Sequence, residues 1–204
     1  MADGKVRDSL FGVISAGVTY QQANQGIAQE VQHRQALVNS YQQNHEVTLL
    51  ANAPKTLIVV IGESMNRNHL TLHGYPRDTS PNLAALLHAQ QRQLFIFRNI
   101  ISSHVQTQPS LRYALTLASL YDNTDPFQSL SIIDLANLAG VQTWWLSNQQ
   151  PLRGSLTAIA KQAKHEYYVS NDHHGIDDTL DEALLPKLTQ ALADPAEHKL
   201  IVLH

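Results

Sequence analysis

The stretch KTLIVVIGESMN, residues 55–66, decides the fold. Its apolar run Leu57–Ile61 does not alternate with polar residues, so both faces of the strand it predicts are expected to be covered, as in the interior of a parallel sheet. Gly62 gives the backbone freedom to turn, and Glu63 then places a charge where the strand ends. Working outward, further strands are predicted in LFIFRNIIS (94–102), VQTWWLS (141–147), EYYVS (166–170) and KLIVLH (199–204). Helical patterns separate them: SPNLAALLHAQQ (80–91), PSLRYALTLASLY (109–121), SLSIIDLANLAG (129–140), SLTAIAKQAK (155–164) and DDTLDEALLPKLTQALA (177–193). Strands alternating with helices of this length make an α/β fold, a mostly parallel sheet with helices on both faces. The strands at 56–62, 141–147 and 199–204 are expected to lie close together. In such sheets ligands bind beyond the carboxyl ends of the strands, which is where Glu63 falls.

Composition agrees with one globular α/β unit: 204 residues, 43% hydrophobic and 15% charged. A net charge of -3 gives no basic field for a phosphate backbone, so nucleic acid is not an expected partner. The absence of cysteine excludes a disulfide framework and any thiolate metal site. No run reaches the length of a membrane span, and residues 1–20 lack the pattern of a secretory leader. The organisation changes near ANAPKT (51–56): residues 1–50 read as a helical connector and 51–204 as the α/β domain. Within the connector, Tyr20, Ile27, Val31, Val38 and Tyr41 form a narrow apolar stripe that is expected to dock on a neighbour.

Three blocks carry candidate chemistry. The first, GESMNRNHLTLHGYPRDTSPNLAAL, begins with Glu63, which serves equally as a loop salt-bridge residue or as a ligand. In the second, FRNIISSHVQTQPSLRYALTLAS, Pro109 suits a first helical turn and puts Thr107 at or just before a helix N-terminus, where anions are stabilised. A plain N-cap threonine has the same appearance, and Ser102 and Ser103 are rival hydroxyls. In the third, TWWLSNQQPLRGSL, the adjacent Trp144 and Trp145 suit strand packing, and Asn148, Gln149 and Arg153 follow the strand end.

Together these blocks resemble the bacterial phosphoethanolamine transferases, inner-membrane enzymes whose periplasmic domain is alkaline phosphatase- and sulfatase-like. The resemblance runs from about Lys55 to His204. It implies that Glu63 and Thr107 are zinc ligands, that Thr107 is the nucleophile, and that Asn148, Gln149 and Arg153 contact the substrate phosphate and head group. Carboxylate oxygen is an acceptable zinc donor, and the arginine fork suits phosphate oxygens. Many members carry a cysteine near the position of Ser103, paired with a second, and this chain lacks that staple.

The resemblance also implies a phosphatidylethanolamine donor, a lipopolysaccharide or glycan acceptor, and attachment to the inner membrane through N-terminal helices, with the domain facing the periplasm. SNDHHGIDD (170–178) looks like the family's Asp-His-Gly zinc motif but precedes KLIVLH, so Asp172, His173 and His174 are read as a polar loop. His69, His73 and His104 flank the presumed site. Relatives continue past the position of KLIVLH to two more zinc ligands, so the chain reads as the N-terminal part of the catalytic domain, truncated at its C-terminus and not competent alone. Two other readings stay open: a non-catalytic remnant that binds a head group or periplasmic partner, and a phosphatase, sulfatase or phosphoglycerol transferase of the same fold. The lack of a C/S-x-P-x-R segment argues against the sulfatase.

Overall fold

The computed structural model describes residues 3–62, 65–89, 94–151, 155–169 and 180–204. They form two compact units, Met1–Ile61 with Gln106–His204, and Gly62–Val105.

The first unit is built on four parallel strands: β1 (Thr56–Val60), β2 (Gln142–Ser147), β3 (His165–Tyr168) and β4 (Lys199–Leu203), in the order β1-β4-β2-β3. The last strand in sequence is thus inserted between β1 and β2, with Ile58 and Trp144 both opposite Ile201. The alternation of side chains along β2 and β4 supplies both faces of the sheet. Trp145, Leu200 and Val202 join Leu115 of α3 (Thr107–Leu115), Ile133 of α4 (Ile132–Leu138) and Leu156 and Ile159 of α5 (Ser155–Ala160). Trp144, Leu146 and Ile201 face the other way, onto Leu184 and onto Ala191 of α6 (Leu185–Leu192). Helices cover both faces, and the two tryptophans are packing residues on opposite sides, both buried.

The N-terminal helix α1 runs from Asp3 to Asn44 and packs on α4, α5 and the 3-10 turn Pro126–Gln128. Ile27, Val31, Val38 and Tyr41 of the predicted stripe are half-buried, the Tyr20 side chain lies outside those described, and among the described side chains of α1 the one fully buried is Arg34, 1% exposed. No helix among the described residues is long and apolar enough to cross a membrane.

Several expectations are corrected. LFIFRNIIS is not a strand: Leu94 and Ile96 are half-buried and Phe95 and Phe97 exposed, but no ladder partner lies beside them among the described residues. Strand propensity without a neighbour to accept the backbone hydrogen bonds does not make a strand. The strand in KTLIVVIG is an edge of this sheet rather than its interior, leaving Leu57, Ile58 and Val60 exposed. The central place belongs to β4. The helix expected over 109–121 begins at Thr107 and stops at Leu115, because Thr116 leaves it to bridge Ser131 and the Leu117 N–H donates to the Leu130 carbonyl at 2.9 Å. Gly62 does not adopt the left-handed backbone. Its lack of a side chain matters for space instead, since a Cβ there would stand 2.8 Å from Met65 Sδ, the far part of a flexible side chain.

Candidate active site

Thr107 is the first residue of α3, with Gln106 as the N-cap in extended conformation (φ -97°, ψ 141°). The side chain of Thr107 is exposed. Pro109 fits this first turn because its missing N–H falls among the donors that have no helical acceptor in any case. The exposed residue thus stands at the positive end of a helix dipole, where an anion is stabilised. The rival hydroxyls are differently disposed: Ser102 Oγ donates to the His104 carbonyl at 2.6 Å, and Ser103 Oγ lies 3.1 Å from His104 Nδ1.

The block LHGYPRDTSP in the second unit holds itself together. Thr79 Oγ1 donates to the His69 carbonyl at 2.6 Å, Thr71 Oγ1 donates to the Arg77 carbonyl at 2.9 Å, and the Thr79 N–H donates back to Thr71 Oγ1 at 2.9 Å. Gly74, at φ 92°, closes the 3-10 turn Thr71–His73 in a conformation that glycine adopts without strain. Pro81 then opens α2 (Pro81–Ala89). Glycine, threonine and proline of this motif thus have structural work, and the His69 and Tyr75 rings pack at 5.1 Å.

At the carboxyl edge of the sheet, the Asn148 N–H donates to the His204 carbonyl at 2.7 Å and the Ile61 N–H to the Leu203 carbonyl at 2.8 Å. Asn148 Nδ2 donates to Asp181 Oδ1 at 3.0 Å, and Gln149 is exposed. Between them Ser147, fully buried, donates its Oγ proton to the Gln149 carbonyl at 3.0 Å and lies 3.1 Å from His204 Nδ1. With its proton committed, Ser147 accepts from the Nδ1–H of His204, which sets the tautomer of that imidazole. The imidazole also packs on Trp145, ring centroids 5.7 Å apart. Nearby, burial and the charge of Glu166 push the Tyr168 phenol above its ordinary range.

The structure therefore brings Asn148 and Gln149 to one strand edge and puts Thr107 at a helix start. Glu63, Arg153, Asp172, His173 and His174 lie outside the described residues. Sequence reasoning passed over Ser147 and His204, because only the β2–β4 register sets them side by side. Hydroxyl and carboxylate oxygens are donors that zinc accepts, so Thr107 and Glu63 fit such a group by chemistry. Among the described residues no group of three His, Asp or Glu side chains could hold a metal ion.

Residues 55–204 match the model of the Sulfatase family. The chain is 35% identical over 156 residues to the phosphoethanolamine transferase EptC of Escherichia coli K12, covering 75% of this chain and 27% of that protein. It is 36% identical over 159 residues to the phosphoethanolamine transferase CptA of Salmonella typhimurium, again 75% of this chain and 27% of the relative. Among solved structures, the zinc complex of the C-terminal periplasmic domain of Escherichia coli EptC superposes with a TM-score of 0.68 at 35% identity, over 76% of this chain and 44% of that one. The chain thus spans about a quarter of the length of the relatives it matches. The parallel sheet with helices on both faces, the helix start at Thr107 and this match over 55–204 lead to one conclusion: the chain belongs to the sulfatase family and is homologous to its phosphoethanolamine transferases.

Proposed function

We propose that the chain is the nucleophile-bearing part of a phosphoethanolamine transferase on the periplasmic face of the bacterial inner membrane. The observation that carries the reading is the exposed Thr107 at the first position of α3, in a segment homologous to transferases of that name. Thr107 Oγ1 attacks the phosphorus of phosphatidylethanolamine, the threonine proton leaves, and diacylglycerol departs with a proton on its hydroxyl. The phosphoethanolamine ester on Thr107 is then attacked by a hydroxyl of a lipopolysaccharide or glycan acceptor, which restores the free threonine. The amide end of α3 stabilises the anionic phosphoryl group while it is attached. Asn148, Gln149 and Arg153 are assigned to the phosphate and head group. Glu63 and Thr107, with donors outside the described residues, would hold a zinc ion, and that ion would supply the Lewis acidity that makes the hydroxyl acidic.

The reading is tested in a chimera in which residues 55–204 replace the matching segment of the Escherichia coli relative. Incubation with phosphatidylethanolamine and peptide mapping by mass spectrometry should find a phosphoethanolamine ester on Thr107, absent in Thr107→Ala. An ester on Ser102 or Ser103 instead would move the role there. A second reading of the 204-residue chain is that of a head-group-binding module without turnover. Given zinc and the same lipid, it should release no diacylglycerol, and release would refute that reading.

A further inference from the structure

The contacts of α1 reach the helix that carries Thr107 by an unbroken route. Arg34 Nη2 donates to Asp134 Oδ2 at 2.6 Å and to the Ser129 carbonyl at 3.4 Å, and His33 Nε2 donates to the Phe127 carbonyl at 3.1 Å. Asp134 Oδ2 is at the same time the acceptor for the Ser131 N–H (2.7 Å) and hydroxyl (2.8 Å). One turn of α1 therefore grips the segment 127–134 at both ends.

That segment in turn holds α3. The guanidinium of Arg112 lies over the Phe127 ring at 4.3 Å, and Thr116, the C-cap of α3, bridges Ser131. Leu115 at the end of α3 is buried in the core with Ile133 of α4. All of these contacts fall on the C-terminal half of α3, whereas Thr107 at the other end is exposed. A nine-residue helix is about 13 Å long, so a tilt of about 5° about its held end moves the first residue by about 1 Å. A misplacement of that size costs on the order of 100-fold in rate when the displaced group is the reacting one.

We infer that Arg112, seated on Phe127 by the docking of α1 through His33 and Arg34, is a positioning residue for Thr107. The connector helix is on this account part of the device that aims the hydroxyl. The consequence for turnover rests on Thr107 being the nucleophile; the geometric claim does not.

The chain has no cysteine, so spin labels can be placed singly. In the full 204-residue chain, nitroxides on Thr107→Cys and Gln190→Cys should give one narrow distance distribution by pulsed electron resonance. Labels on Glu166→Cys and Gln190→Cys give the control distance within the sheet and α6. Arg112→Gln, Phe127→Leu and Arg34→Leu should each broaden the first distribution and leave the control narrow. Arg112→Lys, which keeps a cation over the ring, should restore it. A narrow first distribution in Arg112→Gln and Phe127→Leu overturns the inference, as does equal broadening of the control; these two variants decide the matter even if Arg34→Leu does not fold. In a chimera extended to residues 3–204, so that α1 is included, Arg112→Gln should lower kcat with KM unchanged. Broadening with unaltered turnover would retain the aiming contact and remove Thr107 from the chemistry.

Discussion

Arg34 was invisible as an anchor because it lies in a polar, glutamine-rich stretch whose helical stripe pointed to Ile27, Val31 and Val38. Its pairing with Asp134, 100 positions away, is a tertiary fact that no local pattern encodes. The pair makes one short contact, and Arg34 Nε and Asp134 Oδ1 are buried without partners among the described residues. Such a pair fixes geometry more than it adds stability, yet breaking it strands a charge. Arg34→Ala should therefore cost about 3 to 5 kcal/mol in urea unfolding, and a loss within experimental error would mean that the carboxylate relaxes to water. Glu30 tests the same interface with the opposite sign. Burial raises its pKa above the ordinary 4.5, against the lowering influence of Arg112, Arg34 and His33. A carboxyl whose folded pKa is raised contributes stability that is present below its unfolded pKa and lost as pH climbs through the folded one. Glu30→Gln should accordingly raise the melting temperature at pH 7 and leave it unchanged near pH 3.5, and a lower melting temperature at pH 7 would show that the ionised form is favoured. Thr107, by contrast, was legible because Pro109 marks a first helical turn from sequence alone.

Elements were legible where both ends carry local chemistry. The start of α4 is written in Ser131 and Asp134, a capping box in which Ser131 Oγ accepts from the Asp134 N–H at 3.2 Å and Asp134 reaches back to the Ser131 N–H. Its expected cost on Ser131→Ala is about 1 to 2 kcal/mol, toward the upper end because the hydroxyl also donates to the carboxylate oxygen that binds Arg34. A loss below about 0.5 kcal/mol in thermal unfolding, the usual range of an inert surface change, would show that the cap is dispensable. The end of α3 carries no such signal: the apolar spacing continues through Leu117 and Leu120, both exposed, and only the bridge from Thr116 to Ser131 stops the helix. LFIFRNIIS fails for the complementary reason. Its alternation is real, but a strand is a property of two segments, and the second is not beside it among the described residues.

At the scale of the molecule, the class and the parallel sense of the sheet followed from alternating strands and helices, whereas the order did not. Nothing in KLIVLH distinguishes a central strand from an edge, and KTLIVVIG is the more continuous apolar run, yet β4 takes the centre and β1 the edge. The same uneven distribution of burial separates the two units. Ile201, Val202 and Leu146 are fully buried in the first, while in Gly62–Val105 the sole buried residue among those described is Ser80, and Phe95, Phe97, Ile101 and Val105 are exposed. Backbone amides open locally where few apolar contacts must be broken, and only through global unfolding where many must. Amide hydrogen exchange should therefore be fast throughout 65–89 and 94–105 and slowest in β2 and β4, with the rates in these two strands alone tracking global stability as urea is added. The Thr71–Thr79 loop is the internal control, since its side-chain hydrogen bonds should slow Thr79 relative to its neighbours without bringing it to the level of β4. Equal protection in the two units would mean that Gly62–Val105 unfolds only together with the sheet, and would show that burial within each unit does not set the order in which they open.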